Sequence, residues 1–160
     1  MPDNKIVLTF EDDEEEELPL GLCRLTYPME DFQFFYKLNR LNDFKFCRTK
    51  DIVIKRGYYK AFFSRFEAYD SRNKTHYIVV VNRSHTVEEV EQRMNLFSGI
   101  EHTEYLFSDR ALVDYILLTK GGFGDFSLIL LPKEEVLQVE ELVLSSRHEL
   151  FDIIQCDYYD

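Results

Sequence analysis

Residues 59–69 and 75–82 are two β-prone runs joined by Asp70-Ser71-Arg72-Asn73, a stretch built of residues that accept turn geometry. That arrangement predicts an antiparallel hairpin, and a hairpin commits its neighbours to a sheet whose strands alternate in direction. Further β-like runs lie at 44–48, 52–55, 103–107, 113–119, 126–131 and 151–158, with short apolar runs at 5–10 and 20–27. Lys120-Gly121-Gly122-Phe123-Gly124-Asp125 reads as a turn into one of them.

Helical patterning is sparser. Thr26-Tyr27-Pro28 followed by Glu30 and Asp31 makes a helix start, because proline tolerates the first turn and acids favour the positive end of the dipole. Phe32, Phe35, Tyr36 and Asn39 then recur at helical spacing, with Phe34, Leu38 and Leu41 on a neighbouring stripe, so a helix is expected over 29–41. Thr86 and Glu89 have capping-box spacing, and Val87, Val90, Met94 and Phe97 share a helical face, which predicts a short surface helix. Pro132 is expected to open a last helix reaching about Ser146. Many strands, few helices and no βαβ alternation point to an α+β fold: one domain over 1–160, mainly antiparallel sheet with two or three packed helices.

A composition of 45% hydrophobic residues lets 160 residues bury a core without disulfides or metal. Cys23, Cys47 and Cys156 are odd in number and unpaired in spacing, which suits a reducing compartment better than a disulfide framework or a zinc site. The start lacks the basic and apolar segments of a signal peptide, and no run reaches membrane-spanning length, so a soluble, cytoplasmic protein with no membrane partner is expected.

Charge is distributed unevenly. Residues 11–17 are seven consecutive acids, and without them the formal net charge would be −4 instead of −11. A solvated segment of that kind could also dock on a basic partner, or on the basic region of this chain or a second copy. Residues 44–65 reverse the balance, with Lys45, Arg48, Lys50, Lys55, Arg56, Lys60 and Arg65 against Asp51 alone. Tyr58, Tyr59 and several phenylalanines are interleaved with these cations, a composition able to neutralise phosphates while rings stack on unpaired bases. Strand alternation gives the same string with the rings in the core and the cations in water.

Recognised catalytic patterns are missing. Gly121, Gly122 and Gly124 are followed by no Gly-Lys-Ser/Thr, and His76, His85, His102 and His148 are scattered without ligand spacing. No cofactor, metal or catalytic residue is assigned, and the cysteines read as small buried hydrophobes.

Tyr105-Leu106-Phe107-Ser108-Asp109-Arg110-Ala111-Leu112-Val113-Asp114-Tyr115 resembles the signature of the IPExxxVDY family of small bacterial proteins of Bacteroidetes type. Phe107 stands for isoleucine, Ser108 for proline and Asp109 for glutamate, while Val113-Asp114-Tyr115 is intact. Two earlier blocks also resemble the family: Glu30-Asp31-Phe32 with Leu38-Asn39, and Phe63 to Tyr69 with His76-Tyr77-Ile78-Val79 and Asn82. The C-terminal part departs, lacking a lysine-rich ending. The resemblance implies no particular reaction.

In a strand, Val113 and Tyr115 would share one face and Asp114 the other, while Asp109 would cap a turn. An enzyme centred on Asp109 and Asp114 would need both carboxylates in one pocket. The expectation is instead a non-catalytic protein-interaction or regulatory module whose partner is a protein. RNA binding through residues 44–65 is the alternative, carried by Lys45, Arg48, Lys55, Arg56, Tyr58, Tyr59 and Lys60, and a second copy of the chain is a further candidate partner.

Overall fold

A computed structural model describes residues 16–90, 102–120 and 125–155. The strands are β1 (Glu17–Leu25), β2 (Cys47–Arg48), β3 (Ile52–Arg56), β4 (Tyr59–Phe63), β5 (Arg65–Asp70), β6 (Thr75–Val81), β7 (Thr86–Glu89), β8 (Tyr115–Lys120) and β9 (Val136–Ser145). The helices are α1 (Asp31–Leu41) and α2 (Leu150–Gln155). Six strands form one sheet in the order β2-β5-β6-β8-β1-β9, and three form a second in the order β3-β4-β7. Every pairing is antiparallel, so the fold is α+β with two helices packed on antiparallel sheets.

The central strands of the large sheet are covered on both faces. On one side Leu18, Leu20, Leu22, Ile78, Val80, Ile116 and Leu118 meet Ile52, Ile54, Ala61 and Phe63 of the small sheet and Leu150, Phe151 and Ile154 of α2. On the other, Tyr77, Val79, Tyr115 and Leu117 meet Phe34, Phe35 and Leu38 of α1. The central strands β6 and β8 therefore read as continuous apolar runs, the pattern of a strand buried on both faces.

The hairpin forms as expected, β5 pairing with β6 from Asp70↔Thr75 to Arg65↔Val80. Its turn is tied by the Asp70 carboxylate, whose Oδ1 accepts from the Arg72 amide at 3.0 Å and whose Oδ2 accepts from Asn73 Nδ2 at 2.7 Å. The run 59–69 is not one strand: it breaks at buried Ser64 and changes sheet, because Ser64 O accepts from Val81 N at 2.9 Å and ends the β4 register. The expected helix near 29–41 is α1. At its end Asn42 donates to Leu38 O and Leu130 O and accepts from Leu130 N, all within 2.8–2.9 Å.

Other expectations fail for tertiary reasons. Thr86–Glu89 starts no helix; it is β7, paired with β4 through Phe62↔Thr86 to Tyr59↔Glu89. Met94 and Phe97 of that expected helix lie outside the described residues, as do the run at 5–10 and most of the turn at 120–125. Pro132 opens a single turn, its carbonyl accepting from Glu135 N and Val136 N, before the chain extends into β9 along the whole of β1. Two facing strands outweigh the helical propensity of the Glu-Leu-rich stretch. The expected strand at 151–158 begins as α2, whose Leu150, Phe151 and Ile154 are spaced to bury one helical face. Residues 126–131 make a 3-10 turn at Phe126–Leu128 capped by Asp125, whose Oδ1 accepts from Ser127 N at 2.7 Å. Its Phe126 ring lies where a side chain on Gly21 would stand, a Cβ there falling 2.8 Å from the ring. Of 103–107 only Tyr105 bridges, to Arg83, and of 44–48 only Cys47 and Arg48 pair. Phe46 is instead held by Asn39, which accepts from its amide at 2.7 Å and donates to its carbonyl at 3.0 Å.

Among the described residues no helix is long and apolar enough to cross a membrane.

Candidate functional site

The segment containing the Val113-Asp114-Tyr115 triplet is shaped by one side chain. Buried Asn82, just past β6, donates through Nδ2 to Arg110 O at 3.0 Å and Val113 O at 2.9 Å, and accepts at Oδ1 from Phe107 N at 2.9 Å. Its backbone joins in, with Asn82 N donating to Asp114 O at 3.0 Å and Leu106 N donating to Asn82 O at 2.8 Å. Five bonds from one residue fold residues 105–114 against the end of the sheet.

That loop, the end of β1, the turn into α1 and the end of β6 enclose a cleft of about 380 Å³. Asp114 is half-buried in it, its Oδ2 accepting from Leu25 N at 2.7 Å and its amide donating to Cys23 O at 2.9 Å. Tyr115 stacks on Phe34, with ring centroids 4.2 Å apart, and its hydroxyl donates to Asp31 Oδ1 at 2.9 Å. Arg24 and Arg83 complete the polar lining. A second hollow of about 400 Å³ adjoins, sharing Pro28, Met29, Asp31, Val81 and Arg83 and adding His85 and Ser84.

Burial sets the protonation chemistry. It pushes the carboxyl of Asp31 up, with Glu30 adding to the rise and the Tyr115 hydroxyl, Arg48 and His85 opposing it. It pushes Asp114 up against the Leu25 amide and Arg24. It raises the Tyr115 phenol, helped by the charge of Asp31 and the bond to it. The Cys23 thiol, fully buried behind the cleft, is pushed up to about 12 by burial and then by Asp114. Such a thiol stays protonated and is no nucleophile. The cleft offers groups that bind and orient, with acceptors and cations side by side.

The signature residues separate. Asp114, Val113 and Tyr115 line the cleft, whereas Ser108 and Asp109 are exposed outside its lining, so Asp109 and Asp114 do not converge. Phe107 is buried in the core on the small-sheet side. Val113 packs against that same core while Tyr115 enters the opposite one, contrary to the shared face expected of a strand. The chain is still turning at Val113, whose amide donates to Arg110 O, and β8 begins only at Tyr115. Asp31, read from sequence only as a helix-start acid, is the carboxylate that joins Asp114.

The basic segment also divides. Lys45 folds back on the end of α1, donating to Asn42 O at 2.6 Å and to Asn39 O. Arg48 pairs with Asp51 at 3.0 Å, and Asp51 also binds His85 at 2.6 Å. Arg56 lies toward the 105–106 backbone between Glu104 at 3.7 Å and Glu149 at 3.9 Å, and Tyr59, opposite it across the strand pair, stacks on His102. Lys55 and Lys60 face each other on the outward side of the ribbon, with Lys60 also opposite Glu88 and over the Phe62 ring, and Tyr58 is exposed at the tip. Lys45, Arg48 and Arg56 are thus each met by oxygen acceptors of the chain itself.

A different surface is prominent on α1. Phe32 is 71% exposed and Tyr36 62%, and with Tyr27, Met29, Gln33 and Lys37 they line a hollow of about 550 Å³. A neighbouring hollow of about 570 Å³ is lined by Lys37, Arg40, Leu41, Leu130, Leu131, Pro132 and Lys133. Lys37 reaches Glu135 and Arg40 lies 5.7 Å from the centre of the Tyr36 ring. Nothing in the sequence pattern set this face apart, because alternate aromatics on a helix read equally well as core.

No protein-family model, curated protein or solved structure matches the chain. The likeness to the IPExxxVDY signature therefore rests on the quoted residues alone.

Proposed function

We propose that this chain is a non-catalytic protein-interaction module of the bacterial cytoplasm, of the IPExxxVDY type, that docks a protein partner on the exposed face of α1. The observation that carries the reading is the pair Phe32 and Tyr36, large rings standing in water beside two adjoining hollows. Aromatic rings and arginine are the groups most enriched where protein contacts concentrate their energy, and the pair Tyr36 with Arg40 supplies both. Lys37 is paired with Glu135, but Arg40 and Lys133 also line the second hollow and no acid does, although the chain is strongly acidic overall, so the complementary partner is an acidic amphipathic helix or strand.

The test compares capture by the wild-type chain with capture by Phe32→Ser/Tyr36→Ser, whose positions are exposed and whose fold is checked by circular dichroism. A nuclease-resistant protein bound at low salt, lost at high salt and lost with the double variant supports the reading; equal capture by the variant overturns it.

RNA contact is the second reading, favoured by Lys55 and Lys60 sharing the outward side of the ribbon with exposed Tyr58 near them. Recovered RNA that disappears with Lys55→Glu/Lys60→Glu and stays with the α1 variant would favour it over the first.

A further inference from the structure

The two arginines of the Val113-Asp114-Tyr115 cleft are unlike most others in the chain. Arg48, Arg56, Arg65, Arg72 and Arg110 each have a carboxylate within 4.0 Å, and Arg40 lies against a tyrosine ring. Arg24 and Arg83 have neither arrangement among the described residues, and both line the same cleft. Although Asp31 and Asp114 line the same cleft, neither arginine is within ion-pair distance of them, so each guanidinium keeps donors for an anion from outside.

The carboxylates of the cleft are half-used in the complementary sense. Asp31 accepts from Tyr115 through Oδ1 and Asp114 accepts from Leu25 N through Oδ2, which leaves Asp31 Oδ2 and Asp114 Oδ1 without hydrogen bonds among the described residues. Both are partly withdrawn from water, so a cationic donor placed against them relieves the cost of keeping them charged. Cation and acceptor sets lie within one cleft of about 380 Å³. Leu25, Tyr27, Met29, Val81 and Leu112 add apolar lining to the same cleft, and Leu112 at 67% exposure leaves apolar surface to cover.

We propose that this cleft binds a small zwitterion, an α-amino acid with an apolar side chain, holding its carboxylate on Arg24 and Arg83, its ammonium on Asp31 and Asp114, and its side chain on the wall of Leu25, Met29 and Leu112. An anion alone would satisfy the arginines and leave the open carboxylate oxygens unmatched. An amine alone would do the reverse. Only a ligand carrying both charges a few bonds apart uses both sets, and the volume is at the small end of the range for ligand pockets. The Asn82 bonds hold the loop in place in the absence of ligand, so little ordering cost is left to binding.

Isothermal titration of the full chain with each of leucine, methionine and phenylalanine, up to about 10 mM, tests this. The controls are 4-methylpentanoate, which lacks the ammonium, isoamylamine, which lacks the carboxylate, and inorganic phosphate, an anion with neither an ammonium nor an apolar part. Saturable one-site binding is expected for at least one amino acid, with each control roughly tenfold weaker or worse. Arg83→Gln and Asp31→Asn should each weaken it by a similar factor; asparagine keeps an acceptor for Tyr115, and unchanged thermal unfolding of Arg83→Gln keeps a null result interpretable. Equal affinity for the acid lacking the amine overturns the zwitterion and leaves a plain anion site. No binding of the three amino acids, or binding indifferent to both substitutions, overturns the proposal outright.

Discussion

The two regions richest in arginine function treat their cations in opposite ways. In β2 and the ribbon of β3 and β4, Arg48 and Arg56 stand in the densest basic stretch of the chain and are met by Asp51, Glu104 and Glu149. In the cleft, Arg24 and Arg83 are isolated in sequence and meet no carboxylate within ion-pair distance among the described residues. A local count of positive residues thus says little about which positive charges a partner can reach. Asp51 lies within the basic stretch itself, but Glu104 and Glu149, which meet Arg56, come from far along the chain, and a window of sequence cannot include them.

The two regions also differ in what holds them, which fixes the sharpest way to break the comparison. Asn82→Ala removes three side-chain hydrogen bonds that shape the cleft and strands Phe107 N, Arg110 O and Val113 O, so it should destabilise the protein by about 3 kcal/mol in urea unfolding. A loss under about 1 kcal/mol would mean the loop is held by packing instead. Tyr115→Phe keeps the stack on Phe34 and loses only the bond to Asp31, for an expected cost of about 1.5 kcal/mol; a stabilised variant would show that the buried pair is a net burden.

Asp31→Asn sharpens the contrast through pH. Because the folded-state pKa of Asp31 is raised, its contribution to stability is complete below the ordinary aspartate value of about 3.9 and is lost as pH climbs through the raised value. The asparagine variant keeps an acceptor for Tyr115 and does not lose that share, so its stability relative to wild type should improve from acid toward neutral pH. A difference between the two that does not change with pH would contradict the raised pKa. The smallest effect belongs to the ribbon: Arg56→Gln disturbs ion pairs of 3.7 and 3.9 Å with partly exposed partners, and should cost at most about 0.5 kcal/mol and less in high salt.

What the sequence disclosed follows the range of the forces involved. The β5–β6 turn and α1 depend on residues close in the chain, on Asp70 and Asn73 in one case and on an aromatic period in the other, and both were readable. β9 was misread as a helix because its strand character comes from β1, more than a hundred positions away, and its exposed edge gives it no clean alternation. Of the cleft, Asp114 and Tyr115 stood in a recognisable triplet. Asp31 was visible only as a helix-start acid, and Arg24 and Arg83 carried no pattern at all, since what unites them is the crossing of three chain segments. Asn82 had a faint signal, a polar residue ending an apolar strand, but the groups it binds could not be inferred from it.

The placement of β1 has a consequence in time. Its neighbours in the sheet are β8 and β9, and about 90 residues separate Leu25 from Tyr115, the first residue of the nearer one. At ordinary synthesis rates that interval lasts on the order of ten seconds, during which Leu18, Leu20 and Leu22 have emerged with neither strand they will pair with. Immediately ahead of them stands the unbroken run of acids at 11–17. Like charge flanking an apolar strand is what keeps such strands on neighbouring nascent chains from pairing with one another. Replacing those acids with serine should then lower the yield of soluble chain from the ribosome while leaving the melting temperature of the finished protein nearly unchanged.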